Sequence, residues 1–324
     1  ITSFTHPKAV PTLRDADEVA RRIERHDDVT YRALVPNAVG MERAIDAGVD
    51  KVNALVTVSE TYSEHNQNMT VEEILDGVEE IVEMAEGTGI EVEAGMGTSF
   101  YCPYEGKIPA EDTLAVVDRV VDAGVDEVTL ATTMGLADPV EIEEMYTTVF
   151  DRHPDLDAGL HLHDTNGMSL ANTLVAMQCG VDRFDASHCG LGGGVVLPDG
   201  LSGVGNTPTE DLVQLLNRMG LETNANFERV ESVAHEVADR LDLGATSHVL
   251  MGGTVERVLV RSSIRKASPD LYVCPAYPVV TGMGSHFDSG SSDELAVGIN
   301  CPSVTTARRA ISHENTSTAS STVR

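Results

Sequence analysis

The sequence predicts a parallel (β/α)8 TIM barrel, N-terminally incomplete and followed by a C-terminal appendage. Three observations carry this. Short apolar, strand-like runs alternate with amphipathic helical stretches over residues 1–242. Several helices end in one phrase: Asp46-Ala47-Gly48-Val49-Asp50, Asp122-Ala123-Gly124-Val125-Asp126 and Cys179-Gly180-Val181-Asp182. In each, a glycine stops the helix and a Val-Asp pair leads into the next strand. Serial units of this kind imply parallel strands with helical crossovers. Candidate polar residues close many different strands, which favours a barrel. No GxGxxG follows the first strand, so a nucleotide-binding open sheet has little support.

The elements follow in order. Ile1 to Phe4 is the tail of a strand. Tyr31 to Val35 is an apolar strand ending at Pro36-Asn37, and Gly40 to Ala47 is its helix. Lys51 to Val58 is valine-rich and strand-like. Val71 to Ala85 is helical, with Ile74, Val78, Ile81 and Val82 on one face. Glu91 to Met96 is a strand and Ala110 to Ala123 a helix. Glu127 to Ala131 and Pro139 to Phe150 form the next pair. Leu160 to His163 is a strand and Ser169 to Gln178 its helix. Arg183 to Ser187 is a strand leading into the loop Gly190-Leu191-Gly192-Gly193-Gly194. Thr209 to Met219 and Phe227 to Leu241 are helices.

A full barrel needs eight strands. The first strand, its helix and most of the next strand are expected before Ile1, in a larger product. From Leu243 the pattern weakens. Residues 243–324 are expected to form an extension whose Ser/Thr-rich last residues, from His313, are disordered.

The chain is organised around His161-Leu162-His163-Asp164-Thr165-Asn166-Gly167. In a strand, residues i and i+2 share a face, so both imidazoles project to one side and can share a cation. Asn166-Gly167 is a turn signal, and a helix follows. Ligand pair, turn and helix fit a βα unit with its active residues at the strand's C-terminal end. An HxH pair on its own fits two half-buried strand histidines equally well.

The net charge is −30, and the lysines are Lys8, Lys51, Lys107 and Lys266. Acidic residues such as Glu72, Glu73, Asp76, Glu79, Glu80 and Glu83 lie on a helix surface. This is an acidic, halophilic coat suited to high salt, where screening removes self-repulsion. It argues against a nucleic-acid partner, which needs a basic footprint. Cys102, Cys179, Cys189, Cys274 and Cys301 are scattered, odd in number and without CxxC spacing. They fit free thiols in a reducing, cytoplasmic compartment. No run reaches membrane-spanning length and no signal peptide is visible, so no membrane partner is expected.

Cys102-Pro103-Tyr104-Glu105-Gly106-Lys107-Ile108 resembles the CPYEGKI segment of the 3-hydroxy-3-methylglutaryl-CoA (HMG-CoA) lyases, in the DRE-TIM metallolyase superfamily. Thr2-Ser3-Phe4, Val35-Pro36-Asn37 and Ser59-Glu60 fall where that family has similar segments. His161-x-His163-Asp164-Thr165, Leu170-Ala171-Asn172-Thr173, Gly190-Leu191-Gly192-Gly193 and Gly205-Asn206 follow in family order, as does Thr209-Glu210-Asp211-Leu212. The likeness covers residues 1–240. CPYEGKI is specific, whereas isopropylmalate and citramalate synthases carry a pair similar to HxHD.

The resemblance implies that His161, His163 and Asn206 bind a divalent cation, Mg2+ or Mn2+. It implies a retro-aldol cleavage of a 3-hydroxyacyl-CoA thioester into acetyl-CoA and a keto acid, acetoacetate for HMG-CoA itself. Asp164 would orient a ligating imidazole, or else cap the following helix. Asn37, Glu60, Gly192 and Gly193 would belong to the substrate loops.

Departures are equally specific. The family's first-strand Arg-Asp pair and the glutamate ahead of Thr2 have no counterpart here. Its Gly-Asp-Thr reads Ala131-Thr132-Thr133, so Thr132 replaces a catalytic carboxylate. Its loop cysteine is replaced by Gly194, which leaves His188 and Cys189 as the nearest candidate acids. An inward-facing Asp185 would place Cys189 inward by strand alternation.

The leading expectation is therefore a lyase acting on a small-molecule acyl-CoA, with a homo-oligomer an option. The alternatives are a citramalate- or isopropylmalate-synthase-like condensing enzyme, to which CPYEGKI is foreign, and a catalytically impaired barrel that binds metal or CoA as a partner subunit. Thr132 and Gly194 favour the last.

Overall fold

The computed structural model describes residues 1–193, 205–243 and 247–260. Its centre is a seven-stranded, all-parallel sheet in the order β1-β2-β3-β4-β7-β8-β9. The strands are β1 (Thr2–Ser3), β2 (Arg32–Val35), β3 (Lys51–Thr57), β4 (Glu91–Gly97), β7 (Glu127–Thr132), β8 (Asp157–Leu162) and β9 (Arg183–Asp185). Apart from the insertion between β4 and β7, strands adjacent in sequence are adjacent in space. This is the serial pattern that helical crossovers impose. The sheet curls into a half-barrel, as the repeated βα units predict.

The helices are α1 (Ala16–Arg22), α2 (Ala38–Ala47), α3 (Glu60–Gln67), α4 (Val71–Ala85), α5 (Ala110–Asp122), α6 (Pro139–Arg152), α7 (Ser169–Cys179), α8 (Thr209–Arg218) and α9 (Phe227–Arg240). The short α10 (His248–Gly252) and α11 (Val255–Val260) follow. The repeated stop phrase works as its glycines require. Gly48, Gly124 and Gly180 have φ of +65°, +91° and +110°, values that cost a residue with a Cβ about 1–2 kcal/mol. Reciprocal capping boxes, Thr70 with Glu73 and Asp138 with Glu141, start α4 and α6.

The main core contains Val52 and Val56 from β3, Ile74, Val78 and Ile81 from α4, and Val117 and Val120 from α5. Ile142 and Tyr146 of α6 are fully buried. Each such apolar side chain contributes about 2 kcal/mol of burial free energy. The inner face is polar instead. Glu127 of β7 is buried, and its Oε2 accepts from Lys51 Nζ at 2.6 Å and Arg183 Nη1 at 2.7 Å. Fully buried Glu93 of β4 pairs with Arg32 Nη1 at 2.6 Å.

Three features depart from the expected elements. Tyr101–Cys102 (β5) and Gly106–Lys107 (β6) form an antiparallel hairpin from the CPYEGKI segment. α3 forms from a polar run with little apolar periodicity, its start capped by Ser59 Oγ on Tyr62 N. β9 ends at Asp185, two residues short of Ser187, and His188–Gly190 is a single 3-10 turn.

The expected boundary after residue 242 falls between α9 and α10. α10 is tied back to α8, because Asp211 accepts from His248 N and Val249 N, each at 2.8 Å. The remainder of the expected extension, with its expected disorder, lies outside the described residues.

Candidate active site

β8 lies between β7 and β9, and its register aligns Ala131, His161 and Asp185 across the three strands. His163 follows the strand end and forms a β-bridge with Asn206. Backbone bonds fix that bridge. Asp164 N donates to Gly205 O at 3.1 Å, and Thr207 N donates to Leu162 O at 3.0 Å. Ser187 N donates to Thr207 O at 3.0 Å, and Thr209 N donates to Ser187 O at 2.9 Å. The 205–209 segment thereby joins the end of β8 to the turn after β9. Asn206 is brought beside His163 although 43 positions separate them.

The rings of His161 and His163 stand edge to face, 5.1 Å between centroids. They open with Asn206 on a cavity of about 600 Å3, whose wall includes Asp185, Thr133 and Tyr62. Asn206 Nδ2 donates to Leu191 O at 2.8 Å. This fixes the sense of the amide. Its Oδ1 is buried and has no hydrogen-bond partner among the described residues. A Cβ on Gly192, whose φ is +106°, would stand 2.5 Å from Asn206 Nδ2. A glycine is therefore required for the loop to lie against this amide. Gly193 lines the cavity, and Gly194 lies outside the described residues.

The electrostatics favour one neutral and one oriented imidazole. Burial, followed by the charge of His161, lowers the pKa of His163 to about 4. His161 Nδ1 lies 3.1 Å from Asp185 Oδ2, and Asp185 Oδ1 accepts from Arg32 Nη2 at 2.5 Å. Burial opposes ionisation of Asp185, but the His161 hydrogen bond and the Arg32 charge outweigh it and hold the carboxyl at about 2.

The remaining sequence-predicted residues have these places. Asp164 Oδ1 accepts from Ser169 N at 2.9 Å, at the start of α7. The carboxylate that meets an imidazole of the His161–His163 pair is Asp185. Thr132 is buried, and its Oγ1 accepts from His163 N at 3.1 Å; β7 lines the cavity with Thr129 and Ala131, and Thr133 just beyond the strand end joins them. Asp185 faces inward, but alternation stops where β9 stops. Cys189 has φ +58°, takes a Glu210 bond at its N–H and directs Sγ to Ala234 O at 3.1 Å. His188 Nδ1 is 3.9 Å from Glu210 Oε2. Neither residue lines the cavity.

Asn37 caps α2 through Gly40 N at 3.0 Å. Glu60 accepts from Val71 N at 3.0 Å, ahead of α4. The CPYEGKI hairpin acts through Glu105, whose Oε1 accepts from Ser59 Oγ at 2.8 Å and Thr61 N at 2.9 Å. The Tyr104 ring stacks on His65 at 4.6 Å. The hairpin thus holds α3, which delivers Tyr62 and Asn66 to the cavity. Arg32, Asp185, Tyr62, Asn66 and Thr133 were not predicted as site residues. Alternation along β9 could have found Asp185.

The family model described as HMGL-like matches residues 7–237. The chain belongs to the HMGL-like family. Among curated HMGL-like relatives, hydroxymethylglutaryl-CoA lyase YngG of Bacillus subtilis is 36% identical over 241 residues, covering 74% of this chain and 80% of that protein. The human mitochondrial hydroxymethylglutaryl-CoA lyase is 34% identical over 248 residues, covering 76% and 75%.

Among solved structures, an HMG-CoA lyase from Acinetobacter baumannii, in complex with coenzyme A and 3-methylmalate, superposes with a TM-score of 0.73 at 34% identity. It covers 78% of this chain and 82% of its own. The Bacillus subtilis HMG-CoA lyase gives 0.73 at 36% identity, covering 78% and 83%. These HMGL-like relatives support an HMG-CoA lyase-like function. Among the described residues, no helix is long and apolar enough to cross a membrane.

Proposed function

We propose that the chain is a metal-assisted carbon–carbon lyase cleaving a 3-hydroxyacyl-CoA, with HMG-CoA as the first substrate to test. The observation that carries this is Asn206 Oδ1, a buried acceptor beside two histidines with no hydrogen-bond partner among the described residues. A buried acceptor left in this way costs about 1–3 kcal/mol unless something binds it. Two imidazoles and an amide oxygen form a mixed N/O set that suits an octahedral divalent ion, with positions left for substrate oxygens and water. His161, His163 and Asn206 would hold Mg2+ or Mn2+. That ion would supply Lewis-acid stabilisation of the charge developing on a substrate oxygen.

The chain's own residues do the rest. His163, with its pKa lowered to about 4, is neutral at physiological pH, as a ligand must be. Thr133, Tyr62 and Asn66 line the wall with uncharged polar groups for the acyl end. The reaction removes the proton of the 3-hydroxyl, turns that carbon into a carbonyl, breaks the carbon–carbon bond and protonates the released thioester enolate. In this reading Cys189 serves the turn through its N–H bond to Glu210, and His188 stands beside that carboxylate without bonding it.

A barrel that binds thioester without cleaving it is favoured by one observation. The cavity wall offered by β7 and the residue after it is Thr129, Ala131 and Thr133, with no carboxylate. Incubation with Mn2+ and a panel of 3-hydroxyacyl-CoA thioesters separates the two. Release of acetyl-CoA supports the lyase. Tight thioester binding without release across the panel supports the impaired barrel, and neither binding nor release refutes both.

A further inference from the structure

We infer that Asp185, held by Arg32, is the positioning residue that fixes the tautomer and orientation of His161. The inference rests on the reading of His161 as a ligand, and it assigns a role to a half-buried chain of side chains, anchored on buried Glu93, that the proposed chemistry leaves unused.

The chain crosses the barrel interior. Asn53 Nδ2 of β3 donates to Glu93 Oε1 of β4 at 3.0 Å. Glu93 Oε2 accepts from Arg32 Nη1 of β2 at 2.6 Å, and Arg32 Nη2 donates to Asp185 Oδ1 of β9 at 2.5 Å. Asp185 Oδ2 then faces His161 Nδ1 of β8 at 3.1 Å. One carboxylate oxygen therefore serves the guanidinium and the other the imidazole.

An ionised carboxylate only accepts hydrogen bonds. Arg32 Nη2 donates to one oxygen of the Asp185 carboxylate, and the other oxygen is presented to the ring, so the hydrogen between Asp185 and His161 is donated by Nδ1. In the neutral ring Nε2 then carries the lone pair. A carboxylate behind a ligating histidine sets the tautomer and the ring plane and raises the basicity of the other nitrogen. Asp164, the carboxylate adjacent to the pair in sequence, is engaged by Ser169 N instead. Arg32 is a support one step further back: it fixes where Asp185 stands and is itself anchored on fully buried Glu93.

The test reads the ring directly. Full-length protein labelled with 15N-histidine is examined in chelator at pH 8 by two-bond 15N–1H correlation, which distinguishes Nδ1–H from Nε2–H. His161 is expected as the Nδ1–H tautomer in the wild type; in Asp185→Asn the single amide oxygen goes to Arg32 and the amine faces the ring, so the tautomer is expected to switch to Nε2–H. In Asp185→Ala the Nδ1 preference is expected to disappear. Mn2+ affinity should fall about 10–100-fold in Asp185→Ala and should not be rescued by Asp185→Asn. A wild-type ring that is Nε2–H or doubly protonated overturns the inference, even if no variant folds. So does an unchanged Nδ1–H ring in Asp185→Ala. Because the tautomer needs no metal, an Asp185-dependent Nδ1–H ring in a protein that fails to bind Mn2+ would refute the cation site and leave the positioning role standing.

Discussion

Arg32 of β2 and Asp185 of β9 meet at 2.5 Å, so an ion pair spans the interior between the second and the last strand of the seven-stranded order. Among the described residues, β9 pairs along the sheet only with β8. Arg32 therefore ties the far edge of the curled sheet to its beginning, and the same pair supports the imidazole of His161. Fold closure and site geometry share one guanidinium.

Replacing that guanidinium should be costly. Arg32→Met leaves Glu93, which is fully buried, without its cation. Removing one partner of a buried pair typically costs about 3–5 kcal/mol, because a charge is left uncompensated. Urea unfolding should show a loss on the order of 3 kcal/mol for Arg32→Met, and a smaller one for Arg32→Met with Glu93→Leu. A single variant within about 0.5 kcal/mol of wild type, the usual range for an uninvolved surface position, would show that the pair carries little of the fold.

The acid limb of stability should carry the signature of His163. Its folded pKa is about 4, against 6.5 for the ordinary group. Between those values the unfolded chain binds the proton and the folded chain does not, so stability falls as pH falls. The contribution is constant above pH 6.5 and is lost progressively down to pH 4. It amounts to about 2 kcal/mol after allowance for partial exposure. Urea midpoints measured in chelator at pH 7 and pH 4.5 should therefore differ more for wild type than for His163→Gln. Equal differences would assign the acid sensitivity to other groups.

Gly192→Ala probes the loop against Asn206. The added Cβ would stand 2.5 Å from Asn206 Nδ2, at a φ of +106° that an L side chain rarely adopts. The amide must shift, and Oδ1 moves with it. Calorimetry should show Mn2+ affinity reduced at least about 10-fold, the scale on which disturbing the surroundings of a metal ligand is felt. Unchanged affinity would separate the loop from the cation site.

Much of this was legible in the sequence. The valine-rich runs, the repeated glycine stops and the alternation at His161 and His163 follow from local rules, and they located the strands and the inward pair. What depends on register was not legible. His161 meets Asp185 because β8 and β9 pair with Gly159 opposite Arg183, a fact no local pattern carries. Asn206 was placed by resemblance alone; its physical cause is the bridge to His163 and the backbone bonds of residues 205–209. Cys189 was judged by strand alternation, but β9 ends at Asp185 and the backbone at Cys189 is left-handed. α3 escaped notice because its polar residues show little periodicity, and its position comes from Ser59 and Glu105.

The cation site is the centre of this account, and stoichiometric Mn2+ binding tests it most directly. Chelator-treated wild type, Asn206→Leu and the double variant His161→Ala with His163→Ala are titrated by calorimetry or electron paramagnetic resonance. One Mn2+ per wild-type chain is expected, with weakened binding in Asn206→Leu and none at this site in the double variant, and with circular dichroism confirming that all three are folded. A double variant that is folded and takes up Mn2+ with the wild-type stoichiometry and affinity would contradict that expectation.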